Sequence, residues 1–116
     1  EFPRINEEYS SKKYKYAYFG SRTDDELFLN SIVKLNTQSN DTIIKHFPGC
    51  LISEPIFTAQ PNASNEDEGV IFLNAIDLQR QLSFIAYLNA KDLSVLYKAY
   101  LPIQIPPALH GITLKK

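Results

Sequence analysis

The side chains best suited to metal or nucleophile chemistry in this sequence are few: His46, His110, Cys50 and the acids Glu54, Glu66, Asp67 and Glu68. The two histidines are far apart and lack the local spacing of a metal pair, so pattern alone makes each an ordinary surface or core residue. The surroundings of His110 set it apart. Residues 102–109 read Pro-Ile-Gln-Ile-Pro-Pro-Ala-Leu, an extended approach that cannot be helical. Gly111 follows at once, where the backbone can pack closely or turn. A rigid lead-in with a small residue behind it would fix an imidazole in place, as a metal ligand requires. The same pattern suits a tight turn entering a last strand at residues 112–114.

Glu54 lies in Leu51-Ile52-Ser53-Glu54-Pro55-Ile56-Phe57, an acid in an apolar stretch at the start of a strand. A buried carboxylate needs a partner. An imidazole N–H would serve, and the pair would orient a metal-binding histidine. An exposed acid on a loop is the plainer reading, which the pattern alone favours. The run Asn65-Glu66-Asp67-Glu68 lacks the alternating ligands and the distal glutamate of a calcium loop, so it reads as a solvated charged loop. There is no Gly-rich phosphate loop and no Ser-His-Asp spacing. Cys50 is the only cysteine, which rules out an internal disulfide and fits a reducing compartment.

The elements that would position these groups are strands. Residues 14–19 alternate and end at Gly20, and residues 31–36 and 42–47 flank a turn-rich segment as a hairpin. Residues 55–59 form a short extended piece, and residues 61–68 a polar loop closed by Gly69. Residues 70–76 are nearly continuous in apolar character, which predicts burial on both faces. Residues 82–88 and 94–101 complete the set. Residues 24–31 suit a loop or a single helical turn. Four consecutive strands with short polar turns make an antiparallel meander, the unit of a β-propeller blade, and the residues before them resemble most of a preceding blade. Two blades leave open edges and an apolar face, so further chain is expected upstream.

The bulk properties fit an ordinary globular domain. The chain has 116 residues, 44% hydrophobic and 22% charged, with a net charge of -1. That balance gives no field to attract nucleic acid or an acidic membrane. The run Lys12-Lys13-Tyr14-Lys15-Tyr16 reads as the start of a solvated strand rather than a nucleic-acid stripe. Two glycosylation patterns, at Asn40 and Asn62, would be used only in a secreted protein. No apolar run approaches the roughly 20 residues of a membrane helix. With no methionine, the chain is expected to be part of a longer polypeptide.

At these same residues the sequence resembles the carotenoid cleavage oxygenases, most closely their animal branch. The matching stretches are Glu1-Phe2-Pro3-Arg4-Ile5-Asn6, Tyr14-Lys15-Tyr16-Ala17-Tyr18 and Ser53-Glu54-Pro55-Ile56-Phe57. Then come Asn62 to Gly69 with Glu66-Asp67-Glu68-Gly69, Leu88-Asn89-Ala90-Lys91-Asp92-Leu93, and Ile105-Pro106 leading to His110-Gly111. They follow family order across essentially the whole chain, and together they are specific.

The resemblance implies the last two blades of a seven-bladed all-β propeller, with the penultimate blade over about residues 1–50 and the last blade and closing strand over 51–116. It implies Fe(II) on the propeller axis, held by four histidines. His110 matches the last of the four, and His46 matches none. Glu54 matches a glutamate that accepts a hydrogen bond from a ligand imidazole. Leu109 stands where the animal branch commonly has Phe, at a position resembling part of the substrate tunnel wall. The implied reaction is cleavage of a carotenoid or apocarotenoid double bond by molecular oxygen to retinal-type aldehydes. Retinyl ester isomerohydrolysis at the same iron site is the nearest alternative, and a non-catalytic β interaction module a more distant one. The implied setting is the cytoplasm, with peripheral membrane contact through upstream regions and no nucleic-acid partner. Alone, the chain is expected to be inactive.

Overall fold

Period-two alternation places one set of side chains from each strand in a shared core and leaves the other set partly wet. In the computed structural model, residues 4–10, 12–23 and 28–102 are described. Their strands are β1 (Tyr16–Ser21), β2 (Ser31–Asn36), β3 (Thr42–His46), β4 (Cys50–Ile52), β5 (Ile56–Ala59), β6 (Gly69–Asp77), β7 (Leu82–Asn89) and β8 (Val95–Tyr100). All pairings are antiparallel. The first three strands form one sheet in sequence order. The other five form a second sheet, β4-β6-β7-β8, in which β5 also pairs with β6. The chain passes from one sheet to the other between His46 and Cys50.

The β2–β3 hairpin forms as its turn chemistry predicts. Asn36 Oδ1 accepts the N–H groups of Gln38 and Ser39, and Asn40 takes a positive φ of 65°. In β6 the residues Ile71, Leu73 and Ala75 are buried on one face, while on the other Val70, Phe72 and Asn74 are half-buried and Ile76 is buried. The expected two-sided burial is therefore graded, with one face in the core and the other partly covered. β7 adds Phe84, Ala86 and Leu88 to the core side. On the opposite face, Phe72, Tyr87 and Tyr97 step across β6, β7 and β8, with ring centroids 5.2 and 6.2 Å apart.

One core joins the two sheets. Tyr18 and Ile32 from the first pack with Phe47, Ile52, Phe57, Ile71, Leu73, Phe84 and Leu88. The turn after β7 fits into this junction. The Tyr18 hydroxyl donates to the Ala90 carbonyl at 3.0 Å, and Lys34 Nζ donates to the Lys91 carbonyl at 2.9 Å. Leu93, which closes the turn, has φ +63°. A left-handed non-glycine residue costs about 1–2 kcal/mol, and burying the leucine side chain contributes about as much or more, so packing wins.

Of the helical turn considered over 24–31, residues 24–27 lie outside the described residues. Phe28 to Asn30 are not helical, and Ser31 already opens β2. β1 starts at Tyr16 rather than Tyr14, and the Lys15 N–H just before it goes to the Glu66 carboxylate. The last strand expected at 112–114 lies outside the described residues.

Candidate functional site

The strand carrying Glu54 is interrupted in a way that aims its side chain. β4 pairs with β6 as far as Ile52 opposite Ala75, and β5 resumes with Ile56 opposite Phe72. Ser53, Glu54 and Pro55 thus stand opposite only Leu73 and Asn74, which is a β-bulge. Such an insertion bends a strand and re-aims side chains. The residues suit it. Pro55 has no N–H to lose from the ladder. Ser53 N donates to the Asn74 carbonyl at 2.9 Å, while Ser53 Oγ accepts the Asn74 N–H at 3.1 Å. The hydroxyl so replaces a backbone acceptor that the bulge displaces.

Glu54, at the bulge, has a side chain only 2% exposed. The exposed-acid reading is therefore corrected: the bulge turns the carboxylate inward. One partner is Arg4, whose Nε donates to Glu54 Oε1 at 3.0 Å and whose Nη2 donates to the same oxygen. The guanidinium offsets the penalty of burying the acid. Arg4 is itself held by the backbone, since it and Tyr18 exchange two N–H···O bonds of 2.7 Å. Just beyond it the buried Asn6 accepts the Glu8 N–H at 3.0 Å, capping a short 3₁₀ turn at Glu7–Tyr9. A carboxylate offers about four acceptor positions, so Glu54 has capacity for an imidazole N–H beside the guanidinium.

His110 and Leu109 lie outside the described residues. His46 is exposed on β3, with Nδ1 2.8 Å from Ser31 Oγ, as an ordinary surface histidine would be. Cys50 is half-buried, and burial pushes its thiol above the ordinary range, which makes it a weak nucleophile. Among the described residues no three His, Cys, Asp or Glu side chains are grouped to hold a metal. What is present fits the supporting part of a metal centre, a buried, oriented acceptor for a ligand imidazole. It does not make a ligand cage.

The acidic run is not the solvated loop its composition suggested. The Glu66 carboxylate accepts the N–H groups of Lys15 and Tyr16 at 2.8 Å each, and Asp67 Oδ2 meets Lys34 Nζ at 2.8 Å. This loop staples the second sheet to the first. Arg4, Asn6 and Lys34 are the polar residues that sequence reasoning missed. The one available signal was the need of an inward-facing Glu54 for a cation. A cleft of about 490 Å³ lies away from Glu54, between the 58–61 segment, Gly69 and Leu96.

Comparison with known proteins gives a consistent result. The family described as retinal pigment epithelial membrane protein matches residues 1–112. The chain is 34% identical over 113 residues to β,β-carotene 15,15'-dioxygenase of Gallus gallus, covering 97% of this chain and 21% of that protein. It is 37% identical over 114 residues to the mitochondrial carotenoid-cleaving dioxygenase of Mustela putorius furo, covering 96% and 20% respectively. The crystal structure of an ACO/RPE65 chimera superposes with a TM-score of 0.93 at 29% identity, covering all of this chain and 25% of that one. The chain spans about a fifth of the length of the curated relatives it matches.

Proposed function

The chain belongs to the retinal pigment epithelial membrane protein family, that of the carotenoid oxygenases, and we propose that it is the C-terminal part of an Fe(II)-dependent dioxygenase that cleaves a carotenoid or apocarotenoid double bond to aldehyde products. One observation carries this reading: the family match runs unbroken over residues 1–112 and takes in both Glu54 and His110. In this reading the two sheets belong to the last two blades of a seven-bladed propeller. Molecular oxygen and the polyene are the substrates.

Iron(II), when bound, supplies the centre at which oxygen is activated for double-bond cleavage. The residues of this chain hold and orient. His110 offers a neutral imidazole nitrogen as one ligand, and three further histidines come from the rest of the protein. Glu54, buried at the bulge, accepts the N–H of a ligand imidazole and so sets its tautomer and ring direction. Leu109 lines the tunnel that admits the hydrocarbon. So apolar a substrate is drawn from membranes, which the protein touches peripherally through regions outside this chain. The lone Cys50 supports a reducing compartment such as the cytoplasm.

The test is made on the full-length protein. His110→Ala is expected to abolish iron retention and turnover, while full iron content with undiminished turnover would refute the ligand role. Glu54→Gln is expected to retain the overall fold and lower activity roughly 10–100-fold. Products decide between the two chemistries of the family: aldehydes from a cleaved polyene support the dioxygenase, and an isomerised alcohol from a retinyl ester the isomerohydrolase.

A further inference from the structure

We propose that Arg4 is a positioning residue for the metal centre, acting on a ligand imidazole through Glu54; this rests on the reading of Glu54 given above. The need for such a residue follows from the side chain concerned. The terminal torsion of a glutamate is broad and roughly two-fold, so a buried carboxylate without lateral support points its acceptor oxygens over a wide arc. An imidazole hydrogen bonded to it would inherit that spread, although a metal centre needs its ligand rings held within tens of degrees. Arg4 restricts that freedom. Nε and Nη2 of one planar fork both donate to Oε1, which pins that oxygen and with it the terminal torsion of the glutamate.

The fork is anchored in turn. Its backbone exchanges two 2.7 Å bonds with Tyr18. Tyr18 is buried, stacks on Phe57 at 5.5 Å between centroids, and donates its hydroxyl to Ala90. Phe57 lies three residues after Glu54, in the strand that leaves the bulge. Arg4 and Glu54, 50 residues apart in sequence, are therefore fixed to the same small part of the core. A residue needed only to tie down the N-terminal segment would not require two donors converging on a single buried oxygen. Asn6 already ties that segment down by donating to the Glu66 carbonyl at 3.1 Å.

Lysine separates the two roles, because it supplies charge without the fork. The experiment uses the full-length protein loaded with iron, and reads the rate of iron loss to a strong Fe(II) chelator together with the melting temperature of each apo form. Glu54→Gln should release iron roughly 10–100-fold faster than wild type. Arg4→Met should release it about 10-fold faster, and Arg4→Lys about 3-fold faster with melting close to wild type. If Arg4 acts through Glu54, the double variant Arg4→Met/Glu54→Gln releases iron no faster than Glu54→Gln alone, within about 2-fold. Wild-type release from both Arg4 variants, with Glu54→Gln fast, overturns the inference whatever happens to melting. So does a double variant whose acceleration is the product of the two single ones. Should Arg4→Met not fold, Arg4→Lys alone decides by the same criterion. A wild-type protein without iron, or a Glu54→Gln variant with wild-type release, overturns the proposed function itself, and this inference with it.

Discussion

Lys34 shows how single side chains tie the two sheets together. It lies in β2 with its side chain 5% exposed, where an ammonium group is tolerated only if its donors are occupied. They are: Nζ donates to Asp67 and to the Lys91 carbonyl and sits 4.1 Å above the Tyr16 ring. Lys34→Met keeps the side-chain volume and strands both acceptors. Asp67 retains some access to water at 15% exposure, so the loss should fall below that of a fully buried pair, at about 2 kcal/mol. Urea unfolding of the protein checks this, and adding Asp67→Asn should recover part of the loss. Neither this pair nor Arg4–Glu54 was legible beforehand. The partners are 33 and 50 residues apart, and a charge in a string of residues says nothing about which distant charge it will meet. Glu54 was legible as an acid out of place, and Glu66-Asp67-Glu68 was misread because composition alone makes a charge run look solvated.

At the scale of elements, the strands at 31–36, 42–46, 70–76 and 82–88 were legible, since each displays its pattern within its own residues. The bulge at 53–55 was not, because it exists only as a register difference against β6. Pro55 was its one local trace. What holds that register is the close approach of β5 to the start of β6. A Cβ built on Gly69 would lie 2.4 Å from the Thr58 carbonyl oxygen and 2.8 Å from Phe57 Cζ. The first of these is backbone and cannot turn aside, so Gly69→Ala must push β5 off β6 and disturb the bulge behind it. Overpacking of this kind costs about 1–3 kcal/mol. Gly20→Ala is the control, because its Cβ would meet only the end of the Leu29 side chain, at 3.0 Å, which can rotate away. Gly69→Ala should therefore destabilise by about 2–3 kcal/mol and Gly20→Ala by less than about 1 kcal/mol. Hydrogen exchange adds a local signature, with the amides of β5 losing protection in the first variant and keeping it in the second. Equal effects would mean that the approach at Gly69 does not set the register.

At the scale of the whole molecule the most telling feature is what the outer strands leave uncovered. β8 exposes Val95, Leu96 and Tyr97 at 41, 55 and 54%, and β3 exposes Ile43 and Ile44 at 41 and 50%. Among the described strands both lie at the edge of their sheet, where a strand is open to pairing. Lys98 and Lys45 are the charges they carry, and edges that protect themselves use more. Sheets finished this way are suited to neighbours. The proposed propeller would provide them from the rest of the protein, and their absence has a measurable consequence. Prepared alone, the 116-residue chain should self-associate increasingly with concentration in sedimentation velocity, and Leu96→Lys should shift it toward monomer. In the full-length protein the same substitution should act in the opposite sense. There the leucine would be covered by the next strand, and replacing it would forfeit about 1.5–3 kcal/mol of apolar burial and lower the melting temperature. The reversal of sign is the informative part. A surface that is merely sticky would benefit from the lysine in both settings, whereas an edge made to be covered benefits only when nothing covers it. If Leu96→Lys leaves full-length melting unchanged, β8 faces solvent in the intact protein and the reading of this edge as one covered there is wrong.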